Sequence, residues 1–532
     1  MPVLVGALLG LVALAWALTG GVVAEVMGVR ISITSLARPA MIALVLMMGW
    51  ALLSRDGLQR LVARIEEWSP ETHVRVAWGM GAAFAGWLAV LKLWQHHVFQ
   101  TSAYDLGLYM NAIHNTAHGN WFHESIMDMH YLGDHFSPVF ALLAPLWRLW
   151  PDARMLLLLQ CLVLGSALVA VYLLSLTLVG RKWCAPAVAL LFATNMYLHR
   201  VDAFDFHPMA LAVGSTLWLL YAIERGRYRW AVLLTILTMI IEEPILPPLA
   251  VALFLLAAFK QEFRSTGVFL GCLVTAYFMC VVMWWMPYFL NENRLTHIGR
   301  YAAFGSSPGE MLGNVLRRPY LPLLVLADPP LKLLHLGQVF LSLGFLPLLA
   351  GRWLLLVLVP ILMMVLSSSQ HQYTFSDHYA AALIPFLFCA GIHGAARIVC
   401  APSRLLAVGF FAVLAFNLHG CPDYVAPWSR PWVAEVHATL SEIPSTASVC
   451  ATDNVVPHVA ARERVSMFGK QGRLLLDLRG YDYVILEGET EPHHGIYPFN
   501  SADYALSVGD VRRNPEYRLV SERGTVLLFQ RK

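Results

Sequence analysis

Charge is what this sequence has least of. Asp, Glu, Lys and Arg make up 13% of its 532 residues, and 37 basic against 34 acidic residues leave a net charge of +3. The basic residues stand in short dispersed clusters, so no face is built to track a phosphate backbone, and a nucleic-acid partner is excluded. Neither a Gly-rich phosphate loop nor a Cys-x-x-Cys pair occurs, which removes the P-loop nucleotide enzymes and the zinc-ribbon or dithiol proteins. Of the 8 cysteines, Cys161, Cys184, Cys272, Cys280, Cys389 and Cys400 lie in or beside apolar segments, where cysteine acts as a small hydrophobe. Only Cys421 and Cys450 fall in polar sequence, and they can pair if that sequence lies outside the cytoplasm. The run from Met1 to about Ala24 lacks a basic start and a small-residue cleavage site, so it reads as a retained helix and not as a cleaved signal.

In place of charge the chain has apolar sequence, 58% of it hydrophobic, which marks a polytopic membrane protein. A crossing helix needs about 20 apolar residues. Candidate spans lie at 3–24, 38–53, 76–97, 154–179, 184–199, 208–224, 230–242, 245–259, 265–290, 332–349, 352–368, 378–396 and 405–419, an all-α fold of about 13 transmembrane helices. With the N-terminus in the cytoplasm, Arg55, Arg60, Arg64, Arg75, Arg181, Lys182, Arg225, Arg227, Arg229, Lys260, Arg264, Arg352, Arg397 and Arg404 all fall inside. The acidic and histidine-bearing loops then emerge together on the opposite face. Arg30, Arg38 and the loop 291–320, with Arg294, Arg300, Arg317 and Arg318, are the exceptions.

Two segments need a different account. The run 136–150 is short and carries Pro138 and Pro145, so it is read as an interfacial or re-entrant helix on the outer side. Residues 230–259 are broken by EEPILPP, whose prolines remove backbone donors, and are read as two short helices meeting near the outer face. The chain thus divides into a transmembrane domain over 1–420, with an outer loop over 99–153, and a small extracytoplasmic α/β domain over 421–532. Strands are expected in that domain at 447–451, 464–468, 481–486, 517–519 and 525–530.

The stretch 101–138 carries four carboxylates (Asp105, Glu124, Asp128, Asp134), five histidines (His114, His118, His123, His130, His135) and no Lys or Arg. Such groups are costly in lipid, so they belong at the surface or around a wet cavity, and the stretch is read as an active-site loop. Leu106, Tyr109, Met110 and Ile113 recur at helical spacing, as in an amphipathic helix lying on the membrane with Asp105 near its start. Asp105 is then either a catalytic base or a carboxylate complementing the helix dipole. His114 and His118, one turn apart, could join Asp134 and His135 around a divalent metal, although HNTAH lacks the glutamate of HExxH.

Further along, Asp205 and His207 of VDAFDFHP precede Pro208, and either anchor a loop or face a substrate. Glu242 and Glu243 are costly at a membrane-helix end unless paired or hydrated, with Arg300 or Arg317 as candidate partners. Asp377 and His378 stand at a helix entrance, where capping by Ser376 or Asp377 is the plain role. A transporter or lipid-binding protein without covalent chemistry is the competing class. It predicts ionisable pairs near the bilayer midplane and internal repeats, and no repeat is evident.

Taken in order, YDLGLYMNAIHNTAHG, DHFSPVFALLAPLW, FDFHPMALA, the EEP break, SDHYAAALIPFLF, and IPSTASVCATDNVVPHVAARERVSMF with DYVILE resemble a prokaryotic membrane family, domain-of-unknown-function family 2079, from about residue 100 onward. That family is similar to the GT-C superfamily of integral-membrane glycosyltransferases. The resemblance implies a GT-C-like fold in a bacterial or archaeal inner membrane, a polyprenyl-phosphate sugar donor, and a glycan, lipid or protein acceptor. It puts a catalytic base at Asp105. His135 and Ser137 of DHFSP, and Asp205 and His207 of FDFHP, match family motifs without an assigned role. Where relatives show a Lys-Glu pair, this chain has Glu242 and Glu243, so the break lacks a cation for a donor phosphate. Arg294, Arg300, Arg317 or Arg318 would have to supply it.

Overall fold

A computed structural model describes residues 22–26, 29–33, 55–290, 297–398, 403–422, 431–469, 480–487 and 501–532. The expected span at 38–53, all of the span at 3–24 except 22–24, and Arg38, Arg294 and Cys400 lie outside the described residues. Val22–Val26 and Val29–Ile33 pair as an antiparallel hairpin, so the end of the first expected helix is a strand rich in β-branched residues.

Most of the remainder is helical. Pro70–His97, Ala153–Leu178 and Gln261–Leu290 are long and apolar enough to cross a membrane, and Leu321–Ala327 with Leu331–Leu341 would do so as one span bent by 83°. Eight shorter apolar helices accompany them among the described residues. Several expected spans are therefore broken, for local reasons. The span at 184–199 stops at Ala193 because Asn195 starts a new helix, its Oδ1 accepting from the N–H groups of Tyr197 and Leu198. In the span at 332–349 the helix ends at Leu341, before the left-handed Gly344 and Phe345. The segment at 378–396 becomes a regular helix only from Ile384.

Pro70–His97 and Ala153–Leu178 pack at close range. A Cβ at Gly81 would lie 2.7 Å from the Gly165 carbonyl oxygen, and one at Gly165 would lie 2.6 Å from that of Gly81. Only glycine admits this approach, and it sets the direction in which Pro70–His97 delivers the loop that follows. Val139–Leu149 is amphipathic: Phe140, Leu143 and Trp147 are buried, whereas Leu142, Leu146 and Leu149 are exposed. Its first amide, Val139 N, donates to Ile240 O at 2.8 Å, which ties the loop to the break at Glu242.

In the tail, a five-stranded sheet runs in the order Val465–Met467, Val449–Ala451, Tyr483–Glu487, Val526–Arg531, Tyr517–Arg523. The first two pairings are parallel and the last two antiparallel. All five expected β runs reappear as strands, because short apolar runs rich in Val, Ile, Leu, Phe and Tyr, separated by polar stretches, mark strands buried on both faces. One sheet face, with Cys450, Val484, Leu527 and Phe529, packs on Tyr504, Val508 and Val511 of the helix Ser501–Arg513. The other, with Val449, Ala451, Ile485 and Leu528, shares a core with Val98, Phe99, Ala103 and Ile126 of the loop. That loop is thus a structural layer of the tail. Cys421 and Cys450 form no disulfide, so the pairing that the sequence left open is not made: Cys450 is buried in its strand, while Cys421 donates to Thr194 O at 3.8 Å.

Candidate functional site

The loop leaves Pro70–His97 and is gripped from two sides before it reaches Asp105. Ser102 N and Oγ donate to Asp205 Oδ2 at 2.8 and 3.0 Å. Ala103 N donates to Asp453 Oδ1, in the tail, at 2.8 Å. Between these grips and the next helix Asp105 has φ 69° and ψ −87°, close to the strained γ-turn that non-glycine residues rarely adopt. Its Oδ1 accepts the Tyr109 hydroxyl at 2.5 Å. Asp105 therefore does not complement a helix dipole, since Leu108–Ala117 starts three residues later with Gly107 before it.

Nor does that helix lie on the membrane as an amphipathic ribbon. Tyr109 to Ile113 and Asn115 to Ala117 are all buried. Its polar face is satisfied by protein: Asn111 Nδ2 donates to Arg462 O at 2.8 Å and to Ala460 O at 3.2 Å, while Asn111 Oδ1 accepts from Ser125 N at 2.7 Å. Asparagines at i and i+4, in place of charged residues, were the signal that protein would cover this face.

Around Asp105 the expected residues converge. His207 caps Pro208–Glu224: its Nδ1 accepts from Met209 N at 3.2 Å, which assigns the ring proton to Nε2, 3.9 Å from Asp105 Oδ1. The His378 ring stacks on His207 with centroids 3.6 Å apart. Behind His207 are the two glutamates. His135 Nδ1 donates to Glu243 Oε1 at 3.0 Å and lies 3.2 Å from Glu242 Oε1, and Glu243 Oε2 accepts from Phe136 N at 2.8 Å. Glu242 is buried, and neither of its oxygens has a hydrogen-bond partner. His297 stacks on His135 at 4.8 Å, with its Nε2 3.6 Å from Asp134 Oδ1.

The expected arginine partners are not used. The glutamates face imidazole, whereas Arg300 lies over the Tyr379 ring and Arg317 is exposed at the end of Pro308–Arg317. The expected histidine pair is also elsewhere: His114 and His118 stack at 4.3 Å, and His114 Nδ1 accepts from Trp147 Nε1 at 3.2 Å. The sets able to hold a metal among the described residues are Asp134, His135 and His297, and His135, Glu242 and Glu243, with donor atoms in each within 4.8 Å of one another.

Asp105 and His135 lie in the loop, outside the membrane-crossing helices. Burial pushes the Asp105 carboxyl up to about 6, against the opposing Tyr109 hydrogen bond. For His135 burial acts to lower the pKa, but the Glu243 and Glu242 carboxylates outweigh it and raise it to about 10.

These groups share a cavity of about 960 Å³. Asp105, His135, His207, Glu242, Glu243, Arg300 and His378 supply much of its polar lining, and Met209, Phe278, Val282, Met286, Met363 and Met364 much of its apolar lining. Met279 and Met283 also line it and are 45% and 52% exposed on Gln261–Leu290, so the cavity reaches the outer surface of a membrane-length helix. Asp205, Arg317 and Asp377 do not line it. Asp205 holds Ser102, and Asp377 accepts from His371 Nδ1 at 2.8 Å instead of capping a helix, as Ser376 also fails to do. Sequence reasoning missed Tyr109, His297, Asp453 and Lys92. Lys92 was signalled as the lone cation in LAVLKLWQ; it is fully buried, its Nζ donating to Phe204 O at 2.6 Å.

The model of a family described as "Predicted membrane protein (DUF2079)" matches residues 95–526. No curated protein matches the chain in sequence. Among solved structures it is similar to the arabinofuranosyltransferase AftD from mycobacteria, at 12% identity and TM-score 0.45 over 85% of this chain; it spans 39% of AftD's length. It is similar to ArnT from Cupriavidus metallidurans at 12% identity and TM-score 0.46, over 85% of this chain and 97% of that one. The Archaeoglobus fulgidus oligosaccharyltransferase follows at 12% identity and TM-score 0.37, over 77% and 69% of the two chains.

Proposed function

The chain belongs to that DUF2079 family of membrane proteins, and we propose that it is a glycosyltransferase that takes a sugar from a polyprenyl-phosphate carrier on the extracytoplasmic face. The observation that carries this reading is the double character of the cavity. A polyprenyl phosphate is an anion on an apolar tail, and the cavity combines Arg300 and a row of titratable groups with a methionine-rich wall that reaches a membrane-length helix. In this reading the N-terminus is cytoplasmic, residues 1–420 form the transmembrane domain, and the tail 421–532 lies outside with the loop it covers.

Asp105 is the base. With its pKa near 6 it is ionised at neutral pH and still basic enough to take a proton. The hydroxyl of a glycan, lipid or protein acceptor gives that proton to Asp105 as its oxygen bonds to the anomeric carbon. The bond from that carbon to the carrier phosphate breaks on the opposite side, and the phosphate leaves with the electron pair, its charge met by Arg300. Tyr109 orients the carboxylate through its hydrogen bond. The test is Asp105→Asn in membranes supplied with a panel of labelled polyprenyl-phosphate sugars. Transfer is expected to fall by ~10²- to 10⁴-fold with the protein still inserted, and undiminished transfer removes Asp105 as the base.

A further inference from the structure

The charge arrangement at the Glu242–Glu243 break is incomplete as a purely protein structure. Glu243 is satisfied on both oxygens, by His135 Nδ1 and by Phe136 N. The single proton on His135 Nδ1 is thereby used. Glu242, whose side chain is 1% exposed, is left facing that nitrogen at 3.2 Å and His207 Nδ1 at 3.4 Å. His207 Nδ1 carries a lone pair, because it accepts from Met209 N. A buried carboxylate with no donor, set among other electron-pair donors, is strongly unfavourable unless something positive joins them.

We propose that His135 Nδ1, Glu242 and Glu243 bind one divalent cation, which takes the place of the proton between the imidazole and the carboxylates. Two carboxylates neutralise a dication, and Phe136 N steadies Glu243 from behind as an outer partner does for a metal ligand. One imidazole with carboxylate oxygens suits Mn²⁺ or Zn²⁺ better than Mg²⁺ or Ca²⁺, which favour oxygen alone. Three protein ligands leave a coordination position open to the cavity, as in catalytic metal sites. A phosphate oxygen of the lipid carrier would fill that position; this role rests on the transferase reading, whereas binding of the ion does not. On that reading the ion would offer the phosphate oxygen a Lewis-acid contact that the Glu242–Glu243 pair alone cannot make.

The experiment uses the full chain in lipid nanodiscs, stripped with a chelator and dialysed against MnCl₂ or ZnCl₂. Bound metal is counted by mass spectrometry, and its ligands are read by X-ray absorption. The expected result is about one ion per chain with an imidazole nitrogen and carboxylate oxygens around it. Glu242→Gln should weaken binding at least ~100-fold, more than loss of an outer partner costs. Asp105→Asn should keep the ion, and so should His114→Ala, which removes the competing histidine pair. No uptake by the stripped wild-type chain, or equal affinity in Glu242→Gln, overturns the proposal. If Glu242→Gln fails to fold, the wild-type spectrum decides, since a bound ion without imidazole also overturns it. Failure here together with lost transfer in Asp105→Asn would leave the transferase reading standing without a metal.

Discussion

Two histidine clusters in this molecule are built from the same residue and do opposite things. In the cavity, His135 meets Glu243 and Glu242 at 3.0 and 3.2 Å and sits beside Asp134. At the joint between Pro70–His97 and the tail, His458 stacks on His96 at 4.0 Å with rings nearly parallel, Phe99 lies 4.1 Å from His458, and His437 stacks on His97 at 4.8 Å. The first cluster places imidazole among carboxylates and stores charge. The second places imidazole among rings and packs as an aromatic layer. A histidine-rich loop is therefore not one signal, because the neighbours decide whether the ring acts as an ion or as a plate.

The largest effect should come from exchanging each ring for phenylalanine. His135→Phe leaves two buried carboxylates without their counter-charge and should destabilise the metal-stripped protein by about 3–5 kcal/mol. His458→Phe keeps a ring between His96 and Phe99 and should cost less than about 1.5 kcal/mol. Thermal unfolding in detergent measures both, and equal losses would erase the distinction between the clusters.

The two clusters should also respond to pH in opposite directions. Burial lowers the His458 pKa well below 6.5, with repulsion from His96 and His437 adding to it. The unfolded state then binds the proton first, so docking of the tail is fully stable above about pH 6.5 and weakens as pH falls below it, by at most about 1.4 kcal/mol per unit. In the metal-stripped protein His135, raised to about 10, contributes stability that is complete below its ordinary 6.5 and is lost as pH rises through 10. Proteolysis of the tail should accelerate from pH 7.5 to pH 5 in the wild type and not in His458→Phe. Alkaline loss of stability should persist in that variant.

How much of this could be read from the chain follows from how far apart the partners lie. The tail strands were legible because short apolar runs bounded by polar sequence are a local signal. The gathering of Asp105, His207, Glu242 and His378 was legible because the basic residues fall in alternate loops and leave the acidic and histidine-bearing loops as a separate set. Choice of partner was not legible. His135 rather than an arginine faces Glu243, 108 residues away, because Val139 N hydrogen-bonds Ile240 O and brings the two segments together. The helix Leu108–Ala117 looked like a surface helix because the carbonyls that satisfy Asn111 lie 349 and 351 residues downstream. The role of Asp205 as a clamp on Ser102 has no sequence signature either.

The smallest predicted effect concerns the second grip on the loop and tests whether the tail serves the cavity or only covers it. Asp453 accepts from Ala103 N, two residues before Asp105, and its carboxyl is pushed up to about 6 by burial. Asp453→Asn keeps an oxygen that can accept that amide, so transfer should fall by less than about 10-fold and stability by under about 1 kcal/mol. Asp453→Ala leaves the Ala103 amide unpaired and frees the strained turn at Asp105 to relax, and displacement of a reacting group by about 1 Å costs up to 10²-fold. In the wild type, rate against pH should rise through about 6 as Asp105 ionises. If the loss in Asp453→Ala arises from misplacing Asp105, that limb should keep its slope with a shifted midpoint while substrate affinity stays the same. An unchanged rate in the alanine variant would mean that Asp205 alone holds the loop, and the tail would then be a cover with no part in placing the carboxylate.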